Sequence, residues 1–213
     1  MPDYEICETL YANPTTGTSV QTVMKEGRMY ALKTHNIVES DRQGYLHSFN
    51  TTYRTCYGLI KNIGGIVTIY DTWVENDKYY VLMEYLKDYF PLTAKHLIDY
   101  GIKYGDMACD CLRKDIGLKV MGILGQVYRS KVCIVDITFG NIFIHPATKQ
   151  IKLVDIEPSV LIPKKYSDMP EASKNNPYLM FQLSSAFYLL STFILEFLSN
   201  GPTNEEELWN PKS

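Results

Sequence analysis

The chain has 213 residues, 46% of them hydrophobic and 21% charged, which is enough to bury a core and too apolar for intrinsic disorder as a whole. A net charge of -3, from 21 basic and 24 acidic residues, supplies no field that would attract nucleic acid or an acidic membrane surface. Asp3, Glu5 and Glu8 stand where a secretory signal would need a basic stretch and an apolar run, so the expected location is the cytoplasm.

The first ninety or so residues read as strands. The segments YEICETLYA, TSVQTVM and RMYALKTH alternate apolar with polar residues, and Lys25-Glu26-Gly27-Arg28 supplies turn chemistry between the last two, predicting a three-stranded antiparallel meander. From Ser40 the period changes. Ser40 with Gln43 resembles a capping box, and Leu46, Phe49, Tyr53, Cys56 and Ile60 recur at helical spacing, predicting one helix that ends near Gly64-Gly65. GIVTIYDTWVEND and KYYVLMEYL follow as two more strands, with Glu75-Asn76-Asp77 as their turn.

Beyond Tyr89 the texture is helical. Helices are expected over Leu92 to Tyr100 and Arg113 to Arg129, the second with an apolar stripe through Ile116, Val120, Ile123, Leu124 and Val127. Short apolar runs come next, VCIVDI, NIFIHP and IKLVDIEPSV, the last two joined by a turn around Ala147-Thr148-Lys149 and suited to a buried hairpin with acidic residues at its ends. The uncharged stretch Asn175 to Leu195 contains Gln182, Ser184, Ser185, Ser191 and Thr192 and is followed by acids, which favours a buried helix over a membrane span. The five cysteines are odd in number and scattered, so they read as reduced thiols, and His145 reads as a turn cap.

Four polar residues carry the chemistry. Lys33 closes the apolar strand segment Ala31-Leu32-Lys33. Asp136 ends the run VCIV, with Asn141 in reach on the same loop, and Asp155 ends IKLV. Buried aspartates bracketing a hairpin are costly unless they meet a cation or hydrogen-bond donors, and a divalent metal is the natural partner.

This order, a strand lysine, then Asp-x-x-x-x-Asn, then a strand-terminal Asp, resembles the eukaryotic-like protein kinase superfamily, as a minimal, truncated and divergent member similar to viral or bacterial-effector kinases. The resemblance implies an α+β, bilobal fold. Residues 1–86 would form a small lobe of antiparallel sheet plus one helix with the hinge, and 87–213 a truncated helical large lobe. It implies ATP and Mg²⁺ as cofactors. Lys33 would hold the phosphates, Asp136 would orient and deprotonate the acceptor hydroxyl, and Asn141 and Asp155 would ligate the metal. Met83 would be the gatekeeper, Glu84 and Leu86 would offer backbone groups to adenine, and Val20, Ala31 and Phe143 would sandwich the base.

The departures from the family pattern are specific. NPTTGTSVQTV keeps only Gly17 for close approach to phosphate, with Thr15, Thr16, Thr18 and Ser19 as hydroxyl donors. No acidic residue lies between Asp41 and Asp71, so Lys33 needs another partner, with Asp155, Asn50, Gln43 or Glu39 as candidates. Ile134-Val135 replace the His-Arg before the catalytic Asp, which removes the usual control by activation-loop phosphorylation. Two readings follow: a minimal protein kinase moving phosphoryl to a Ser, Thr or Tyr hydroxyl, or a pseudokinase that binds a partner protein or kinase. A kinase-fold enzyme acting on a small molecule is a third. No nucleic-acid partner and no membrane span is expected, and the cytoplasm would be a host's if the chain is a viral or bacterial effector.

Overall fold

The computed structural model describes residues 4–92 and 107–162. The chain divides into two compact units, Met1–Lys61 with Val67–Asp88, and Asn62–Ile66 with Tyr89 onward.

In the first unit, β1 (Glu5–Asn13), β2 (Thr18–Lys25) and β3 (Arg28–Asn36) form the expected meander. Glu26 at φ 51° and Gly27 at φ 74° take the two left-handed positions that a tight two-residue hairpin requires. Asn76 at φ 50° and Asp77 at φ 57° do the same between β4 (Ile69–Glu75) and β5 (Lys78–Glu84). The five strands are ordered β1-β2-β3-β5-β4. β5 takes the inner place because Tyr79 through Met83 are all buried, whereas β4 has no buried residue and sits at the edge.

The predicted helix is present, but its interior is not uniform. A 3₁₀ turn (Glu39–Asp41) leads into α1 (Arg42–Phe49), a π-helical stretch (Asn50–Cys56) and α2 (Tyr57–Ile60). A periodicity reading cannot see the wider turn, because apolar positions still recur at intervals of three and four. The capping box does not form: Asp41 precedes α1 with no side-chain cap, and the helix ends at Ile60 instead of at Gly64-Gly65. Phe49, Tyr53, Cys56 and Ile60 are buried, and the Phe49 ring lies 5.0 Å from that of Tyr79 on β5. The other face of the sheet buries Val23, Leu32, Tyr80 and Leu82, with Trp73 stacked on Tyr80 at 4.9 Å.

In the second unit the long helix, α3 (Met107–Arg129), starts before the predicted Arg113, and the stripe Ile116, Val120, Ile123, Leu124 and Val127 is buried as expected. β6 (Phe90–Pro91), β8 (Ile142–Ile144) and β9 (Ile151–Leu153) form one small sheet, and β7 (Val132–Ile134) pairs with β10 (Ser159–Leu161) in another. Asn62–Ile66 is strapped to β9: Leu153 N–H donates to Gly65 O at 2.7 Å, and Ile66 bridges Leu153. Gly65 has φ 97°, and a Cβ there would collide with Ile123. His145 caps the β8–β9 turn as predicted, its Nδ1 accepting the N–H groups of Ala147 at 3.2 Å and Thr148 at 3.3 Å. The helix expected over Leu92 to Tyr100, except for its first residue, lies outside the described residues, as do the helix expected over Asn175 to Leu195 and the acids that follow it. Among the described residues no helix is long and apolar enough to cross a membrane.

Two measurements check this packing. The Tyr57 hydroxyl accepts the Ile69 N–H at 2.7 Å and donates to Ile69 O at 3.4 Å, so Tyr57→Phe leaves both groups short of a partner and should cost about 1–3 kcal/mol in urea unfolding. Burial pushes the Cys133 thiol up to about 11 from 9.0. At pH 8 its alkylation in the folded protein should therefore be about 100-fold slower than in the urea-unfolded chain, read by peptide mass spectrometry.

Candidate functional site

Sheet register assembles one part of the site. Val20 on β2 and Val81 on β5 both pair with Lys33 on β3, and Ala31 pairs with Met83. Because side chains alternate along a strand, Val20, Ala31, Lys33, Val81 and Met83 all share one face. Ala31, Lys33 and Met83 are buried. β3 continues past Lys33 to Asn36, so the lysine lies inside the strand and does not close it. A buried ammonium persists only where its desolvation is compensated, which marks Lys33 as more than a solvated strand lysine. Glu84 ends β5 with its amide donating to Thr68 O at 2.8 Å and its carboxylate accepting the Thr68 N–H at 2.9 Å; Leu86 lies in the non-repetitive segment beyond.

The helix supplies no acid to Lys33. Glu39, one of the candidates, bonds Arg42 at 3.3 Å, and Arg42 in turn pairs with Asp77. Gln43 and Asn50 are exposed.

The β1–β2 turn differs from its reading. Asn13 Oδ1 accepts the amides of Thr15 at 3.0 Å and Thr16 at 3.3 Å, the Thr16 hydroxyl donates to that of Thr18 at 2.9 Å, and the Thr18 hydroxyl lies 2.6 Å from His35 Nδ1. Of the hydroxyls expected to face phosphate, those of Thr16 and Thr18 are thus bonded within the loop or to β3. Gly17 is required for its left-handed φ of 64° and because a Cβ would collide with Asn36. The signal for this was present: Asn followed by Pro, at Asn13-Pro14, is a turn-initiating pair whose side chain caps amides two and three residues on.

The second unit holds the remaining predicted residues. After β7 the chain passes Asp136, which is exposed, and enters a 3₁₀ turn at Phe139–Asn141, where Asn141 N–H donates to Thr138 O at 3.1 Å. Asn141 Nδ2 donates to the main-chain oxygen of Asp136 at 3.3 Å. With its nitrogen so used, the amide oxygen is the atom left to meet a cation. Asn141 O accepts the N–H of Val154, the residue before Asp155, at 3.0 Å, and Val135 N–H donates to Pro158 O at 2.9 Å. Two main-chain bonds therefore set the Asp136 loop beside the Asp155 loop. Asp155 Oδ1 accepts the Glu157 N–H at 3.2 Å, which turns the loop directly after the aspartate. Phe143, half-buried between the buried Ile142 and Ile144, faces the opposite side of β8 from them.

These donors suit Mg²⁺. A carboxylate and an amide carbonyl are hard oxygen ligands, and magnesium takes few protein ligands and completes its shell with water and phosphate.

No family model and no curated protein matches the chain. Solved structures do. The chain is similar to the PK-1 kinase of Cydia pomonella granulovirus, with a TM-score of 0.63 and 17% identity over 99% of this chain and 75% of that one. The five-stranded antiparallel sheet with its helix, followed by a hairpin flanked by Asp136, Asn141 and Asp155, is therefore an α+β protein-kinase-like fold.

Proposed function

We propose that the chain is an ATP-dependent phosphotransferase that moves a phosphoryl group from Mg-ATP to a protein hydroxyl, with serine or threonine favoured over tyrosine. The observation that supports this is the bonding of the Asp136 and Asp155 loops to each other, which sets Asp136, Asn141 and Asp155 on adjacent turns. Asn141 and Asp155 hold the metal. Lys33 places its positive charge on the phosphates, and Asp136 accepts the proton of the acceptor hydroxyl. Val20, Ala31, Met83 and Phe143 receive the base, with Glu84 and Leu86 offering main-chain groups. Bound Mg-ATP supplies the phosphoryl group and neutralises its charge, and the residues contribute positioning and electrostatics.

A second reading, a pseudokinase that binds a protein partner, is favoured by one observation. The β1–β2 turn spends the Thr15 and Thr16 amides on Asn13, so it offers phosphate less than a glycine-rich loop does. Activity separates the two.

Saturating ATP should raise the melting temperature by about 5–10 kelvin in the presence of Mg²⁺ only, and Asp155→Asn should abolish that metal dependence. Radiolabel transfer from ATP to protein should fall by about 10²–10⁴-fold in Asp136→Ala, which keeps the thermal shift. Equal labelling by wild type and Asp136→Ala would overturn the phosphotransferase reading, and metal-dependent stabilisation without any labelling would favour the pseudokinase.

A further inference from the structure

A groove of about 600 Å³ opens on the second unit, and none of Asp136, Asn141 and Asp155 lines it. One wall is a stripe of α3, from Lys119 to Gln126; the other is the β8–β9 turn and β9, with Lys149, Gln150 and Lys152; Gly64 and Gly65 close the end. Three lysines line it and no carboxylate does. Lys119 is partly neutralised, because its Nζ sits 2.6 Å from Asp115 Oδ2 and 3.1 Å from Lys149 O. Lys149 makes no ion pair among the described residues, and it stands on the turn at φ 56°. Lys152 Nζ lies 3.5 Å from Ile66 O, at the inner end.

The remaining lining decides what such a basic groove would take. At its base are the buried side chains of Ile123 and Ile151. Gly64 and Gly122 leave open space where a Cβ would stand. Gln126 Nε2 donates to Gly122 O at 3.3 Å and Gln150 Oε1 accepts from the Tyr89 hydroxyl at 2.9 Å, which leaves the Gln126 amide oxygen and the Gln150 amide nitrogen to meet a peptide main chain. The wall from Lys119 to Gln126 spans about 10 Å at the helical rise, the length of about three extended residues. A small anion would not use the apolar base or the paired amides.

We propose that this groove docks a short, extended, acidic peptide segment of a partner protein, with a carboxylate on Lys149 and an apolar side chain on Ile123 and Ile151. The site is independent of the phosphotransferase reading, since none of its residues is assigned to nucleotide or metal. Its contacts are charged and solvent-facing, so binding should weaken steeply with salt.

The test is fluorescence anisotropy of a fluorescein-labelled Glu-Glu-Leu-Glu-Glu peptide with the full chain at low ionic strength. Saturable binding is expected. Lys149→Glu should weaken it at least five-fold. Gly122→Phe, which fills the groove without changing its charge, should do the same, and Lys78→Glu on the first unit should leave it unchanged. No binding by the wild type, or equal weakening by Lys78→Glu, would overturn the proposal, as would binding that ignores both groove variants. Inorganic polyphosphate binding with the same dependence on Lys149, in the absence of peptide binding, would show an anion site instead and would likewise overturn it.

Discussion

One main-chain hydrogen bond sets the arrangement of the predicted site residues in the second unit, from Val154 N–H to the carbonyl of Asn141 at 3.0 Å. It extends the β8–β9 ladder one step past the Ile142–Leu153 pair and places Asn141 next to the residue preceding Asp155. The Val135 bond to Pro158 O, and the β7–β10 pairing that continues from it, close the same arrangement from the other side. Charged groups placed on loops are only as well positioned as the main chain beneath them, so these bonds matter more to function than many buried contacts. The Asn141 side chain ties the same loop together, its Nδ2 donating to Asp136 O at 3.3 Å.

The first unit works by division of faces. Strand alternation sends Val23, Leu32, Tyr80 and Leu82 to an aromatic-rich core and sends Val20, Ala31, Lys33 and Met83 to the other side, where Phe49 packs from the helix against Tyr79. A one-residue slip in register would bury the wrong set, so the two tight hairpins at Glu26-Gly27 and Asn76-Asp77 define which residues share a face with Lys33 as much as they define the sheet. The β1–β2 turn is rigidified by its own Asn13 and Thr18 bonds, which replace the mobility of a glycine-rich loop with a pre-formed shape.

Strong local signals were legible. Alternation predicted the strands, the stripe from Ile116 to Val127 predicted the long helix, and the spacing of Asp136, Asn141 and Asp155 predicted the acidic hairpin. Signals that depend on one hydrogen bond were not. Ser40 with Gln43 has the residues of a capping box, yet the entry is a 3₁₀ turn capped by neither. Glu39 was a possible partner for Lys33 until Arg42, bridging to Asp77, claimed it. The crowding of Gly17 by Asn36, a residue of β3, likewise has no signal near Gly17 in the chain.

By itself the sequence determined the five strands of the first unit, the long helix, the β8–β9 hairpin and the turn residues, because these follow from side-chain period and local backbone preference. The tertiary structure alone decided that β5 lies between β3 and β4, that the helix widens into a π-helical stretch, and that β7 pairs with β10 so that Val135 is bonded to Pro158. Each of those depends on which distant segments satisfy one another's main-chain hydrogen bonds, and that pairing has no local trace in the order of residues.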